Sequence, residues 1–86
     1  MNYRYHPAVL DELLAHGIRP TPATPPSRAR ELLNDLYRYE LRELRDRLRR
    51  REFPKPTYAA RVVALRERYP LLSIPMDQWA ETERTP

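Results

Sequence analysis

Eighty-six residues and a mass of 10.3 kDa bound this chain to one small domain, and with no cysteine neither a disulfide nor a thiolate metal site can reinforce a thin core. The single glycine, Gly17, excludes glycine-rich phosphate loops, and 16 basic against 12 acidic residues leave a formal net charge of +4. Lys55 is the sole lysine, a bias toward arginine that high-GC coding explains as readily as function does.

Ten prolines punctuate the chain and leave three proline-free stretches with helical periodicity. The first predicted helix covers about 7–16. Pro7 suits a first helical position, where a backbone N–H would lack a partner anyway. Val9, Leu10, Leu13 and Leu14 give it an apolar face, and Gly17 fits a left-handed position beyond the last turn, with Ile18 folding back as its apolar contact. Residues 19–26 hold four prolines and read as a stiff, extended connector.

The second predicted helix, about 25–52, dominates the chain. Thr24 is its expected cap, Pro25 and Pro26 occupy the unpaired first turn, and Pro54 pushes Phe53 out of helical geometry. Ala29, Leu33, Tyr37, Leu41, Leu44 and Leu48 form its apolar stripe, which Leu32 and Leu36 widen in the first half only. Glu43–Arg47 and Asp46–Arg50 are expected i,i+4 ion pairs, and Arg49, Arg50 and Arg51 lie where cations offset the helix dipole.

The third predicted helix, about 57–69, carries Tyr58, Val62, Leu65 and Tyr69, with Ala59 and Val63 beside them. The tail, 70–86, is expected to be extended, with a short helix from Met76 to Glu83 and frayed polar residues at its end. No β-hairpin signal occurs. The expectation is therefore an all-α chain: one elongated helical domain over 1–86, a long central helix, two shorter helices folded back antiparallel on its two halves, and an extended proline-containing tail.

Candidate chemistry is sparse. Ser27 and Ser73 are the only serines, and neither has a nearby histidine or an elbow glycine. Asp11 and Glu12 read as helix N-terminal charge, and Glu12, His16 and His6 make a poor metal set. No enzyme, cofactor or metal is expected. Val62–Leu65 is the longest apolar run, so no membrane span is expected; with no apolar leader at residues 1–7, the expected location is cytoplasmic.

Two surfaces point to partners. Residues 38–51 contain seven arginines against Glu40, Glu43 and Asp46. At about 100° per residue the arginines spread around most of the helix outside the leucine stripe, so a solvated face is the plain interpretation. Arg38, Arg42, Arg45, Arg49 and Arg50 are the candidates for holding nucleic acid or another polyanion. Leu71, Leu72, Ile74, Met76 and Trp79 put five large apolar side chains in a proline-locked tail, and Tyr39 lies off the stripe among arginines. These six residues are the candidates for binding another protein or a second copy of the chain, and they favour a non-catalytic adaptor or accessory subunit as the leading reading.

The triplet Leu36-Tyr37-Arg38, with Leu41 and Arg42 behind it, resembles the signature of the LYR-motif proteins. Those are small, basic helical proteins that assist iron–sulfur delivery and respiratory-complex assembly, and many bind acyl carrier protein. In that family the triplet opens the first helix of the bundle. Here 35 residues precede it, and the later family Phe would have to be Phe53, behind a proline break. No acyl-carrier or iron–sulfur role is carried over.

Overall fold

The computed structural model describes residues 1–83. The chain order is strand β1 (Asn2–Tyr5), helix α1 (Pro7–Ala15), helix α2 (Pro26–Arg49), helix α3 (Tyr58–Glu67) and strand β2 (Ala80–Glu83), with 3-10 turns at Lys55–Thr57, Pro70–Ser73 and Met76–Gln78. The frayed end expected beyond Glu83 lies outside the described residues.

Proline sets both early helix starts. Pro7 and Pro26 open α1 and α2, and neither helix has a side-chain cap. Thr24 does not cap α2 as expected. Its hydroxyl instead accepts the Thr21 backbone N–H at 3.0 Å and closes a turn in the connector, while its carbonyl accepts the Tyr5 hydroxyl at 2.7 Å. At the end of α1 the expected geometry is present. Gly17 has φ 77°, its N–H donates to the Leu14 carbonyl, and the Ile18 N–H donates to that of Leu13, both at 2.9 Å.

The same motif ends α2 with no glycine. Arg51 adopts φ 58° and donates to the Leu48 carbonyl, and Glu52 donates to that of Arg47. This is why α2 stops at Arg49 and not at 52. Sequence offered no breaker there, because arginine is not a residue that signals left-handed backbone. Beyond it Phe53 is buried, with the Arg61 guanidinium 4.2 Å and the Arg47 guanidinium 5.7 Å from its ring centroid.

α3 returns antiparallel along the second half of α2. Arg61 meets Arg47 around Phe53 at one end, and Arg68 reaches Glu40 at 2.9 Å at the other. Leu65 and Tyr69 are buried against it, with Tyr58 and Val62 half-buried, so the expected stripe faces the core.

α1 departs from the expected antiparallel course and runs in the same direction as α2. Its start lies by Trp79 and Thr24, near the beginning of α2, through His6 N–H to Trp79 O and Tyr5 to Thr24. Its end lies further along, where His16 stacks on Tyr69 and Tyr69 meets Tyr37 edge-on. The stiff connector makes this possible. The connector is not extended throughout as expected: the Thr24 N–H donates to the Thr21 carbonyl at 2.9 Å and closes a turn, and the residues on either side of it carry the chain back to the start of α2.

Two further expectations are corrected. The chain is helix-dominated but not purely all-α, because β1 and β2 pair antiparallel, with Arg4 opposite Glu81 and Tyr5 opposite Ala80. The tail is not extended throughout and forms no helix over 76–83. It turns twice through 3-10 geometry, at Pro70–Ser73 and Met76–Gln78, and then becomes β2.

A single core runs through both halves: Val9, Leu13, Ala29, Leu33, Leu71 and Trp79 at one end, Leu44, Phe53 and Leu65 at the other, and Tyr69 between them. The molecule is elongated as expected, 59 × 17 × 16 Å, with a radius of gyration of 16.0 Å. A compact chain of this length would have about 12 Å.

Candidate interaction face

α2 is a continuous scaffold of 24 residues, roughly 36 Å long, with one side committed to the core. The side chains that point away from that core are decided by helical phase alone. Taking Leu44 as the centre of the buried side, Arg38, Arg42, Arg45 and Arg49 follow at i, i+4, i+7 and i+11 and fall within about 60° of one another on the far flank. All four are exposed. The seven arginines of 38–51 as a set do spread around the helix, but these four form one row about 16 Å long.

The other three do different work. Arg47 turns inward over Phe53 and also meets Glu52 at 3.5 Å. Arg50 stands apart from the row and bonds Glu52 at 2.7 Å. Arg51 closes the helix end. The expected pairs Glu43–Arg47 and Asp46–Arg50 do not form. Both arginines pair with Glu52 instead, because the left-handed turn at Arg51 folds that carboxylate back onto the last turn. The Arg50 guanidinium holds the Glu52 carboxyl below its ordinary range.

Within the row, Arg49 approaches Asp46 at 3.8 Å. Arg38, Arg42 and Arg45 make no ion pair among the described residues. Tyr39, 57 % exposed, lies one step around the helix from Arg42.

The tail candidates divide. Trp79 is wholly buried and Leu71 is 2 % exposed, so these two belong to the chain's own core and are not free to anchor a partner. Leu72 and Ile74 are half-buried against the same core, and Met76 stays 39 % exposed. Arg30 fixes this arrangement, and sequence reasoning missed it. Its guanidinium donates to the Leu72 and Ile74 carbonyls, each at 3.3 Å, and lies 5.8 Å from the Trp79 ring centroid. The Trp79 indole N–H donates to the Ile74 carbonyl at 3.1 Å. The only signal available was Arg30's position on the edge of the apolar stripe, where a cation has a reason to be when it caps carbonyls.

A second polar cluster sits at the α1–α2–α3 junction. Tyr69, 1 % exposed, donates its hydroxyl to Glu40, whose other oxygen takes Arg68 at 2.9 Å. His16 stacks on the Tyr69 ring at 4.3 Å and donates from Nε2 to the Arg68 carbonyl at 2.7 Å. Burial first, and then the Glu40 carboxylate, push the Tyr69 hydroxyl far above its ordinary pKa. His16 is thus committed to packing and to a carbonyl. It does not converge with Glu12 and His6, and among the described residues no three His, Cys, Asp or Glu side chains gather as a metal site. No helix among the described residues is long and apolar enough to cross a membrane.

An open groove of about 460 Å³ runs between α2 and α3, lined in part by Tyr39, Glu43, Leu44, Arg61 and Leu65. Its Glu40 is taken up by Arg68 and Tyr69, and its Arg61 by Phe53.

The chain matches no protein-family profile, no curated protein and no solved structure. Of the LYR-like triplet, Leu36 is half-buried on the core, Tyr37 packs edge-on against Tyr69, and Arg38 is exposed at the start of the arginine row.

Proposed function

We propose that the chain is a non-catalytic interaction module that holds its partner on the outer flank of α2. The observation that carries this reading is the row Arg38, Arg42, Arg45 and Arg49, held in phase by a continuous helix, with its first three members unpaired among the described residues. A rigid helix spends little conformational entropy when it docks, so its side chains meet a partner already arrayed. An adaptor anchored by its apolar tail, the leading reading from sequence, loses its main support because Leu71 and Trp79 are internal. The unpaired row favours the second reading, a polyanion partner.

Capture from the native cell tests the module itself. The full chain is compared with a variant carrying R38Q, R42Q, R45Q and R49Q; glutamine keeps helix propensity and removes only charge. The expected result is a bound species retained in fixed proportion by the native chain and lost by the variant, with both proteins melting alike. Retention that does not depend on the row contradicts the proposal.

A further inference from the structure

We infer that the row Arg38–Arg42–Arg45–Arg49 binds the phosphodiester backbone of a nucleic acid. This rests on the reading that the outer flank of α2 is the binding face, and it names the chemistry of what binds there.

The first argument is the absence of an apolar centre. Protein–protein interfaces place a desolvated apolar core inside a polar rim. Around the arginine row the neighbouring α2 positions are Glu31, Asn34, Asp35, Asp46 and the single exposed aromatic Tyr39, and the nearest apolar stripe residue, Leu41, is half-buried toward the core. A polar surface with four guanidinium groups in one row suits a nucleic-acid backbone, where interfaces are wetter and more positive. The second argument is the donor. Guanidinium forks match phosphate oxygens two at a time, which a lysine cannot do. The third is length. A row of about 16 Å lies along roughly five phosphates of one duplex strand at 3.4 Å per charge. Tyr39, exposed beside Arg42, adds an aromatic face on which an unpaired base can stack.

The acidic residues limit the site. Asp46 holds Arg49 at 3.8 Å, and Asp35 and Glu31 border the row toward the start of α2. Contact with phosphate therefore falls chiefly to Arg38, Arg42 and Arg45, with Arg49 released from Asp46 on binding. Recognition of this kind reads the backbone and not the base sequence.

Fluorescence anisotropy with the full chain tests the inference. The probes are a labelled DNA duplex of about 20 base pairs and a labelled single-stranded RNA of similar length, with poly-glutamate as the competing acidic polymer. Three to four phosphate contacts predict that log K falls against log salt with a slope of about −2.7 to −3.6 on the duplex, and so a loss of roughly 40- to 150-fold between about 50 and 200 mM salt. R42Q should bring the slope nearer zero by about one, and the fourfold Gln variant should lose binding while its melt is unchanged. The tighter of the two probes identifies the class of backbone. Absence of binding to both probes at low salt, binding that survives the fourfold variant, or equal displacement by poly-glutamate overturns the inference. If either of the first two occurs while cellular capture still depends on the row and resists nuclease, the partner is an acidic protein and the interaction-module reading stands without this inference. If capture is also independent of the row, both fail.

Discussion

Replacing Trp79 with alanine decides whether the tail is core or anchor. The indole is fully buried, donates to the Ile74 carbonyl at 3.1 Å and supports Arg30 at 5.8 Å. Truncation of a buried tryptophan costs about 3–5 kcal/mol. A chain of this length has a total stability of roughly 4–13 kcal/mol. W79A therefore removes a large fraction of it, lowering Tm by at least about 12 °C at roughly 4–8 °C per kcal/mol, or leaving the chain unfolded. Met76→Ala is the control: Met76 is 39 % exposed, and its loss should stay within about 0.5 kcal/mol. Urea unfolding followed by far-ultraviolet circular dichroism measures both. Deletion of residues 71–86 should unfold the chain for the same reason. Trp79→Ala melting like the native protein, with loss of an associated species on size-exclusion chromatography, would refute internal packing of the tail.

Arg51→Gly relieves a left-handed arginine and should raise stability by about 1 kcal/mol, seen as a higher Tm; a lower Tm would mean that the side chain contributes more than its backbone costs. Leu44→Asp puts a charge into the α2–α3 seam and should cost more than the about 2–5 kcal/mol of a leucine-to-alanine truncation; an unchanged melt would show that Leu44 is not packed. Burial, then Glu40, raise the Tyr69 hydroxyl above its ordinary value, so the neutral form is favoured in the fold. Its contribution is complete below about pH 10 and is lost as pH rises beyond that. Tyr69→Phe should accordingly flatten the alkaline fall in stability measured by urea titration, leaving the smaller slope from Tyr5, whose pKa burial also raises. An alkaline limb identical to that of the native protein would contradict the assignment.

Helical phase carried most of what could be read in advance. The α2 and α3 stripes, the Gly17 turn and the elongated shape follow from apolar spacing and proline placement. What failed was long-range or lacked a residue signal. β1 and β2 are four residues each and come from opposite ends of the chain, so no turn chemistry announced them. Their complementarity was present only as Tyr3-Arg4-Tyr5 facing Thr82-Glu81-Ala80, joined by Arg4 and Glu81. The direction of α1 depended on the path of the connector, including its Thr21–Thr24 turn, which periodicity does not encode. Two open helix carbonyls are satisfied through a left-handed arginine, Leu48 by the Arg51 N–H and Arg47 by the Glu52 N–H that follows it, a use that composition could not suggest. The tail was read as apolar, with packing on the chain itself or on a partner left open, because the groove that receives it is finished by Arg30, a charged residue, and not by another leucine. Among the arginines, counting seven together hid the four in phase.

The most direct test of binding through α2 observes the arginines themselves. Heteronuclear NMR of the Nε–Hε resonances, recorded on the full chain as the duplex is added, should move Arg38, Arg42 and Arg45 most and Arg49 with them. Arg47 and Arg61, held around Phe53, and Arg30, held by the tail, should stay in place. Perturbations centred on the α2–α3 groove or the tail, or none in the row, would contradict the account.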